Sequence, residues 1–325
     1  MNSRAAKMDW QDIVQMVSHH EHLALVTHAS PDGDAVGSTL GLALGLRALG
    51  KDVQILSKEP GPQDLAYLSL YEEFGTESLL RKDRTLLLCL DCGNKDRLSM
   101  EREGFQEILK VNIDHHVSNE FYGTVNYVDA KAASTAELIY QLLKELQVVV
   151  DIPMAECLYT GIITDTGSFR FPSTTPKTLQ VAAALLETGV DFSKIQRMLF
   201  STSAFSQVKL LGKALMTLEN HLEGFVSMMN LKGEDFNVLA ISDRDTGDIV
   251  NYGLEPPEAD VSILFKEAEG FYRVSVRTKE KIDASALCGK FGGGGHVRAA
   301  GCNMEAPSLQ EAKEWMLKEI ERMMA

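Results

Sequence analysis

HLALVTHASPDGDAVGSTLGLALGLRALGKDVQIL, residues 22–56, is the stretch on which the fold turns. HLALVTH (22–28) is a short, continuously apolar run ending in a polar loop, the pattern of a parallel strand buried on both faces. STLGLALGLRALG (38–50) reads as a helix closed by Gly50, and DVQIL (52–56) as the next strand. Working outward, TLLLCL (85–90) and VNI (111–113) are further strands. STAELIYQLLKEL (134–146), MAECLYTGIIT (154–164) and TPKTLQVAAALLETG (175–189) are helices. Residues 9–20 set Trp10, Ile13, Val14 and Val17 on one helical face. Strand and helix alternate, which predicts an α/β domain over 1–190 with a mostly parallel sheet flanked by helices.

The texture changes after a helical connector at 191–215. GFVSMMN (224–230), ADVSILFKE (259–267) and GFYRVSVRTK (270–279) alternate like partly exposed strands. ASALCGKF (284–291) reads as a helix, then comes GGGGH, and SLQEAKEWMLKEIERMMA carries an apolar helical stripe. A smaller C-terminal α/β domain with a glycine-rich loop is expected over 216–325.

The bulk numbers narrow the class. A chain of 325 residues is about two domains' worth, and 45% hydrophobic with 24% charged residues suits a soluble globular protein. Five cysteines (Cys89, Cys92, Cys157, Cys288, Cys302) are too few and too odd in number for a disulfide framework. The N-terminus lacks a signal-peptide core, and no run reaches the length of a membrane span, so a cytoplasmic protein is expected. The net charge of −14 argues against blanket attraction to a long polyanion.

HASPDGDAVGS (28–38) places His28, Asp32 and Asp34 in a tight loop after a strand, with Gly33 and Gly37 permitting a compact backbone. Carboxylates this close repel unless a cation or a proton lies between them. Capping of the following helix by Asp34 or Ser38 would leave His28 and Asp32 idle. Two more strands end the same way: LLLCLDCGN in Asp91, and VNIDHH in Asp114, His115 and His116. Asp165 follows CLYTGIIT. Ligands of open parallel sheets bind at the carboxyl ends of strands, so these residues are expected along one edge. Mixed oxygen and imidazole donors suit manganese, iron or zinc better than calcium. The set is large enough for two ions, with Asp91 able to bridge them and together activate a water for phosphate-ester hydrolysis. Alternation along the strand places Cys89 and Cys92 apart, with Cys89 in the core. Arg97, Ser134 and Thr135 lie in segments able to reach a substrate, and Phe169 and Phe171 near Asp165 read either as core or as residues that stack on a base. His19, His20 and His22 read as surface or capping residues, and Asp243, Asp245 and Asp248 as loop carboxylates.

FGGGGHVRAAG (291–301) is the second signal. Four consecutive glycines weaken any regular element, so backbone N–H groups approaching an anion are the economical reading, with a hinge or tight turn as the alternative. His296 and Arg298 add donors, and Arg277 in VSVRTK offers a phosphate fork. No Lys-Ser/Thr follows the glycines, which excludes a Walker loop. Residues 271–300 hold six basic and two acidic side chains, so positive charge is concentrated where the chain as a whole is acidic.

These motifs together resemble the DHH phosphoesterase superfamily, named for the triplet seen here as Asp114-His115-His116, and the resemblance covers essentially the whole chain. It implies His28, Asp32 and Asp91 around one metal, and Asp34, Asp91, His115 and Asp165 around the other. It implies two divalent ions, Mn2+ first, with Mg2+, Fe2+ or Co2+ as alternatives. His116 would touch the substrate phosphate, and Asp114 would orient a histidine. The tail resembles the DHH-associated domain, in which Ser275, Arg277, Gly293, Gly294, Gly295, His296 and Arg298 would grip substrate; Thr278 stands where many relatives have serine.

Length and tail resemble the small oligoribonuclease and phosphoadenosine-phosphate phosphatase group. This implies hydrolysis of short single-stranded RNA to mononucleotides and of 3′-phosphoadenosine 5′-phosphate to AMP, in a cleft between domains, without long duplex or membrane as partner. A cyclic- or linear-dinucleotide phosphodiesterase would use the same residues. An inorganic pyrophosphatase would lack the glycine–histidine loop, a RecJ-type exonuclease would carry extra domains, and a non-catalytic nucleotide sensor would not need a bridging carboxylate. Base preference, direction of attack and oligomeric state, a homodimer included, stay open.

Overall fold

The computed structural model describes residues 9–75, 84–100, 105, 107–200, 204–242, 246 and 248–324. It divides into two compact units, Met1–Thr202 and Ser203–Ala325. The division falls inside the segment read from sequence as a connector.

The first unit runs α1 (Trp10–His19), β1 (His22–Val26), α2 (Gly33–Ala48), β2 (Asp52–Leu56), β3 (Thr85–Leu90), β4 (Lys110–Asp114) and β5 (Val125–Val128), then α3 (Thr135–Glu145), α4 (Ile152–Asp165), α5 (Pro176–Leu186) and α6 (Phe192–Phe200). Its five strands pair in the order β2-β1-β3-β4-β5, all parallel. All six residues of β3 are buried, because both faces are covered. Leu86, Leu88 and Leu90 face a core shared with α1 to α5. Leu87 and Cys89 face a second cluster with Val26, Leu98, Met100, Phe105 and Ile108. Helices therefore cover one face, and largely irregular chain covers the other.

Strand order reverses between β1 and β3, which opens a crevice at their carboxyl ends. The loops after β1, β3 and β4 all emerge there.

The helix after β1 starts five residues before the position read from sequence. Gly33 opens α2, and Asp32 is its N-cap, its Oδ1 accepting from the amides of Asp34 at 3.1 Å and Ala35 at 3.0 Å. Gly37 is thus a helical residue rather than part of a loop. A methyl there would overlap the Cys157 carbonyl and Gly161 of α4, so glycine serves the close approach of two helices.

The second unit runs α7 (Phe205–Leu215), β6 (Glu219–His221), β7 (Val226–Leu231), α8 (Gly233–Leu239), β8 (Val261–Ala268), β9 (Phe271–Thr278), α9 (Ala284–Gly289), β10 (Gly294–His296), β11 (Ala299–Met304) and α10 (Leu309–Met324). The sheet order is β10-β11-β9-β8-β7-β6, antiparallel except for β7 with β8. β9 alternates as its sequence predicts, but the first six residues of β8 are all buried. Ile263 and Phe265 pack with α9 and α10, while Leu264 meets Leu210, Ala214 and Phe236 of α7 and α8 on the opposite face. Among the described residues no helix is long and apolar enough to cross a membrane. Asp243 and Asp245 lie outside the described residues.

Candidate functional site

Six side chains from four segments meet at the crevice. His28 follows β1, Asp32 and Asp34 flank the start of α2, Asp91 follows β3, His115 follows β4, and Asp165 ends α4. His28, Asp32 and Asp91 each offer one donor atom within 4.8 Å of the others, and so do Asp34, His115 and Asp165. Asp91 joins the two groups: its Oδ2 is 3.7 Å from His28 Nε2 and its Oδ1 is 3.5 Å from His115 Nε2. His115 Nε2 is also 3.2 Å from Asp165 Oδ2 and 3.9 Å from Asp34 Oδ2.

Several features fit divalent cations. His28 Nδ1 faces the Ala29 carbonyl at 2.9 Å and His115 Nδ1 faces that of Ala132 at 3.4 Å. A neutral ring that donates from Nδ1 keeps an Nε2 lone pair toward the carboxylates. Most of the N···O separations exceed a hydrogen bond, and they suit ligands sharing one ion at bonds of about 2.1 Å. The charges are also unbalanced. Burial pushes Asp34 well above the usual carboxylate range, with Asp91, Asp165 and Asp32 adding to it. Burial likewise lifts Asp165 to about 6, against the pull of His115. Burial works to raise Asp91 too, but His28, His115 and His116 outweigh it and hold its carboxyl low. Burial opposes charge on His28, yet Asp91, the Ala29 carbonyl and Asp32 raise its pKa overall. Protons retained by such a cluster mark where positive charge is needed, and bound metal displaces them.

His116 plays a different part. Its Nδ1 lies 2.7 Å from Asp114 Oδ1, and that hydrogen bond lifts the imidazole to about 9 despite burial. Asp114 is buried and accepts at Oδ2 from Asn119, whose amide also donates to Asn112 Oδ1 at 2.8 Å. The result is a protonated, oriented imidazole beside the carboxylates, suited to holding an anionic oxygen.

Two residues at the crevice have a strained backbone. Ser30 and Asp91 have φ of 54° and 52°, in the left-handed region that non-glycine residues avoid at a cost of about 1–2 kcal/mol. β3 ends at Leu90, so alternation stops before Cys92. Both thiols lie in one apolar cluster that Tyr122 packs against, rather than apart as alternation predicts.

Other candidates resolve individually. Thr135 turns its hydroxyl to Asp91 and its amide to Asp34, and Ser134 caps α3, so both are committed inside the protein. Phe169 packs on Tyr159, whereas Phe171 stands exposed. Arg97 is exposed, and its carbonyl accepts from the Ala29 amide. His19 and His20 bond carbonyls of α1, and His22 meets Asp52.

In the second unit the glycine run forms a hairpin. β10 pairs with β11, setting Gly294 against Gly301, Gly295 against Ala300 and His296 against Ala299. A methyl at Gly293 or Gly295 would overlap the β11 backbone, whereas one at Gly294 would stand in open space. Packing therefore accounts for two of the glycines, and Gly294 keeps an open approach. Ser275 and Arg277 share the half-exposed face of β9, opposite Gly301 and Ala299. His296 is exposed. Arg298 differs from the rest: its Nη1 donates to the Glu280 and Ile282 carbonyls at 3.0 and 3.2 Å. Asp260 accepts the amides of Glu280, Lys281 and Ile282, so Arg298 and Asp260 pin one loop from its two kinds of backbone group.

Sequence reading missed Asn119 and Gly161, and it singled out Thr135 for reaching substrate, whereas the structure turns it to Asp34 and Asp91. A Cβ on Gly161 would meet Asp34 Oδ1. Each lies in a motif segment; the partners of Thr135 and Gly161 are far away in the chain, whereas Asn119 reaches Asn112 and Asp114 a few residues before it.

The chain is similar to known proteins in sequence and in fold. A model of the DHH family, N-terminal domain, matches residues 22–162, and one of the DHHA1 domain matches 237–325. The bifunctional oligoribonuclease and PAP phosphatase NrnA of Thermus thermophilus is 34% identical over 298 residues, covering 91% of this chain and 88% of the relative. The NrnA of Bacillus subtilis is 28% identical over 317 residues, covering 95% and 99%. The crystal structure of an exopolyphosphatase-related protein from Bacteroides fragilis shares the fold, with a TM-score of 0.81 at 24% identity over 99% of this chain and 97% of that one. With both domain models matched in order and this degree of identity along nearly its whole length, the chain belongs to the DHH family of phosphoesterases, a DHH domain followed by a DHHA1 domain.

Proposed function

We propose that this phosphoesterase hydrolyses short oligoribonucleotides to mononucleotides, and 3′-phosphoadenosine 5′-phosphate to AMP and phosphate, using two divalent ions, Mn2+ first. The carrying observation is the joining of two three-residue donor groups through Asp91. In this reading His28, Asp32 and Asp91 hold one ion, and Asp34, Asp91, His115 and Asp165 the other. The bound ions would supply an acidified water and neutralise phosphate charge.

The protein's own groups do the rest. His115 and His28 keep Nε2 free because their Nδ1 atoms face carbonyls. His116, charged through Asp114, binds a non-bridging phosphate oxygen and offsets the charge that builds during attack. Burial of Asp91 and Asp34 strengthens these interactions by excluding water. Ser275, Arg277, Gly293, Gly294, Gly295 and His296 are proposed to hold the remainder of the substrate. Arg298 serves that role indirectly, since it pins the loop following β9. The names of the Thermus and Bacillus relatives support this substrate class.

The test is a side-by-side assay of the full chain with Mn2+. Substrates are RNA of two to five nucleotides, a long single-stranded RNA, linear and cyclic diadenylate, phosphoadenosine phosphate and pyrophosphate. Preferred turnover of the short RNA and phosphoadenosine phosphate is expected. Preference for pyrophosphate, cyclic diadenylate or the long RNA refutes the assignment.

A further inference from the structure

Thr135 touches two carboxylates of the metal centre from one position. It is the first residue of α3 and fully buried. Its amide donates to Asp34 Oδ2 at 2.6 Å, and the next amide, of Ala136, donates to Asp34 Oδ1 at 2.9 Å. Its hydroxyl donates to Asp91 Oδ1 at 2.9 Å. First-turn amides have no partner within their own helix, so α3 can spend two of them on Asp34 without loss. Capping does not need the Thr135 side chain, because the Ser134 hydroxyl accepts the Glu137 amide.

A hydroxyl has one proton to give, and here it goes to the Asp91 oxygen that faces His115. The other oxygen of Asp91 faces His28. A carboxylate that must present its two oxygens to two different donor groups needs its rotation about the Cβ–Cγ bond fixed. Asp91 is buried on a strained backbone, and the Thr135 hydroxyl is a side-chain donor, not titratable, that meets it.

We propose that Thr135 is a positioning residue of the metal centre: it locks the rotation of Asp91 and sets that carboxylate against Asp34. The proposal rests on the metal-centre reading above and names a residue outside its ligand set. Groups that orient metal ligands typically contribute about 10–100-fold in affinity.

The test is a Mn2+ titration of the full chain by calorimetry, with electron paramagnetic resonance of bound Mn2+, on Thr135→Val, Thr135→Ala and Thr135→Ser. Valine keeps the shape and removes the hydroxyl; serine keeps the hydroxyl. Expected are Mn2+ affinities about tenfold or more weaker for valine and alanine, altered resonance spectra for both, and serine within about threefold of the parent. Valine binding Mn2+ like the parent overturns the proposal, as does serine as weak as valine. Failure of both hydroxyl-free variants to fold in chelator also overturns it, since the hydroxyl would then serve folding. A parent chain that takes up no Mn2+ refutes the metal-centre reading itself, and the proposal with it.

Discussion

Gly161→Ala adds one methyl where three helices converge on Asp34. The new Cβ would stand 2.7 Å from the Cβ of Ala136 and 2.8 Å from Asp34 Oδ1. Carbon–carbon contacts settle at about 3.5–4.0 Å, so the overlap approaches 1 Å. Ala136 sits in the first turn of α3 and Asp34 in that of α2, and neither is the end of a flexible side chain. Relief requires the helices to part or the Asp34 carboxylate to swing from its amide donors. Overpacking of a buried site costs about 1–3 kcal/mol, and alanine's better helix propensity returns about 1 kcal/mol. The net loss is up to about 2 kcal/mol, or about 4–8 °C in Tm for a unit of this size. Displacing Asp34 should also weaken Mn2+ binding about tenfold. Thermal melts in chelator measure the first effect and calorimetric Mn2+ titration the second. Gly212→Ala in α7 is the matched control: its Cβ meets nothing within 4 Å, so it should stabilise by about 0.5–1 kcal/mol. A Gly161→Ala protein that melts at or above the parent and binds Mn2+ equally well would refute the packing argument.

Three further outcomes are expected. Asp91→Asn should lower Mn2+-dependent phosphodiester hydrolysis about a thousandfold or more, measured on a labelled dinucleotide, because it neutralises the carboxylate whose two oxygens face His28 and His115. Mn2+ at about one hundred times its Kd should stabilise the folded chain by about 2.7 kcal/mol, and chelation should reverse this, read as a shift in Tm. In the hairpin, Gly295→Ala should destabilise the second unit by about 1–3 kcal/mol while Gly294→Ala leaves its melting close to the parent's. Only the former drives a methyl into β11, and its φ of 151° disfavours any side chain.

The net charge of −14 looks at first like evidence against a nucleic-acid partner. Its placement reverses that implication in part. Four of the carboxylates are packed around histidines, in a cluster that burial and mutual repulsion leave short of positive charge. A small anion held with metal fits such a site, whereas a long duplex laid over an acidic surface does not.

Residue order alone determined which elements form and which end of each carries the chemistry. HLALVTH, TLLLCL and VNI are apolar runs that close on His28, Asp91 and Asp114, and parallel pairing then sends these ends to one edge. That inference needs only backbone periodicity and the direction of the chain, both local properties. The start of α2 lies earlier than its sequence suggests because Gly33 and Gly37 disfavour a helix, and a helix buried almost all round shows no apolar stripe to mark its first turn. β8 reads as partly exposed because nothing in its own alternation reveals that α7 and α8 cover its second face. Tertiary structure alone decided what holds the site. Thr135 meets Asp34 across 101 positions of chain and Asp91 across 44. Gly161 is needed only because Asp34 and Ala136 arrive beside it, and Arg298 is taken up by the loop at 280–282. Such partners are set by how packed elements converge in space, and separation along the chain carries no trace of that.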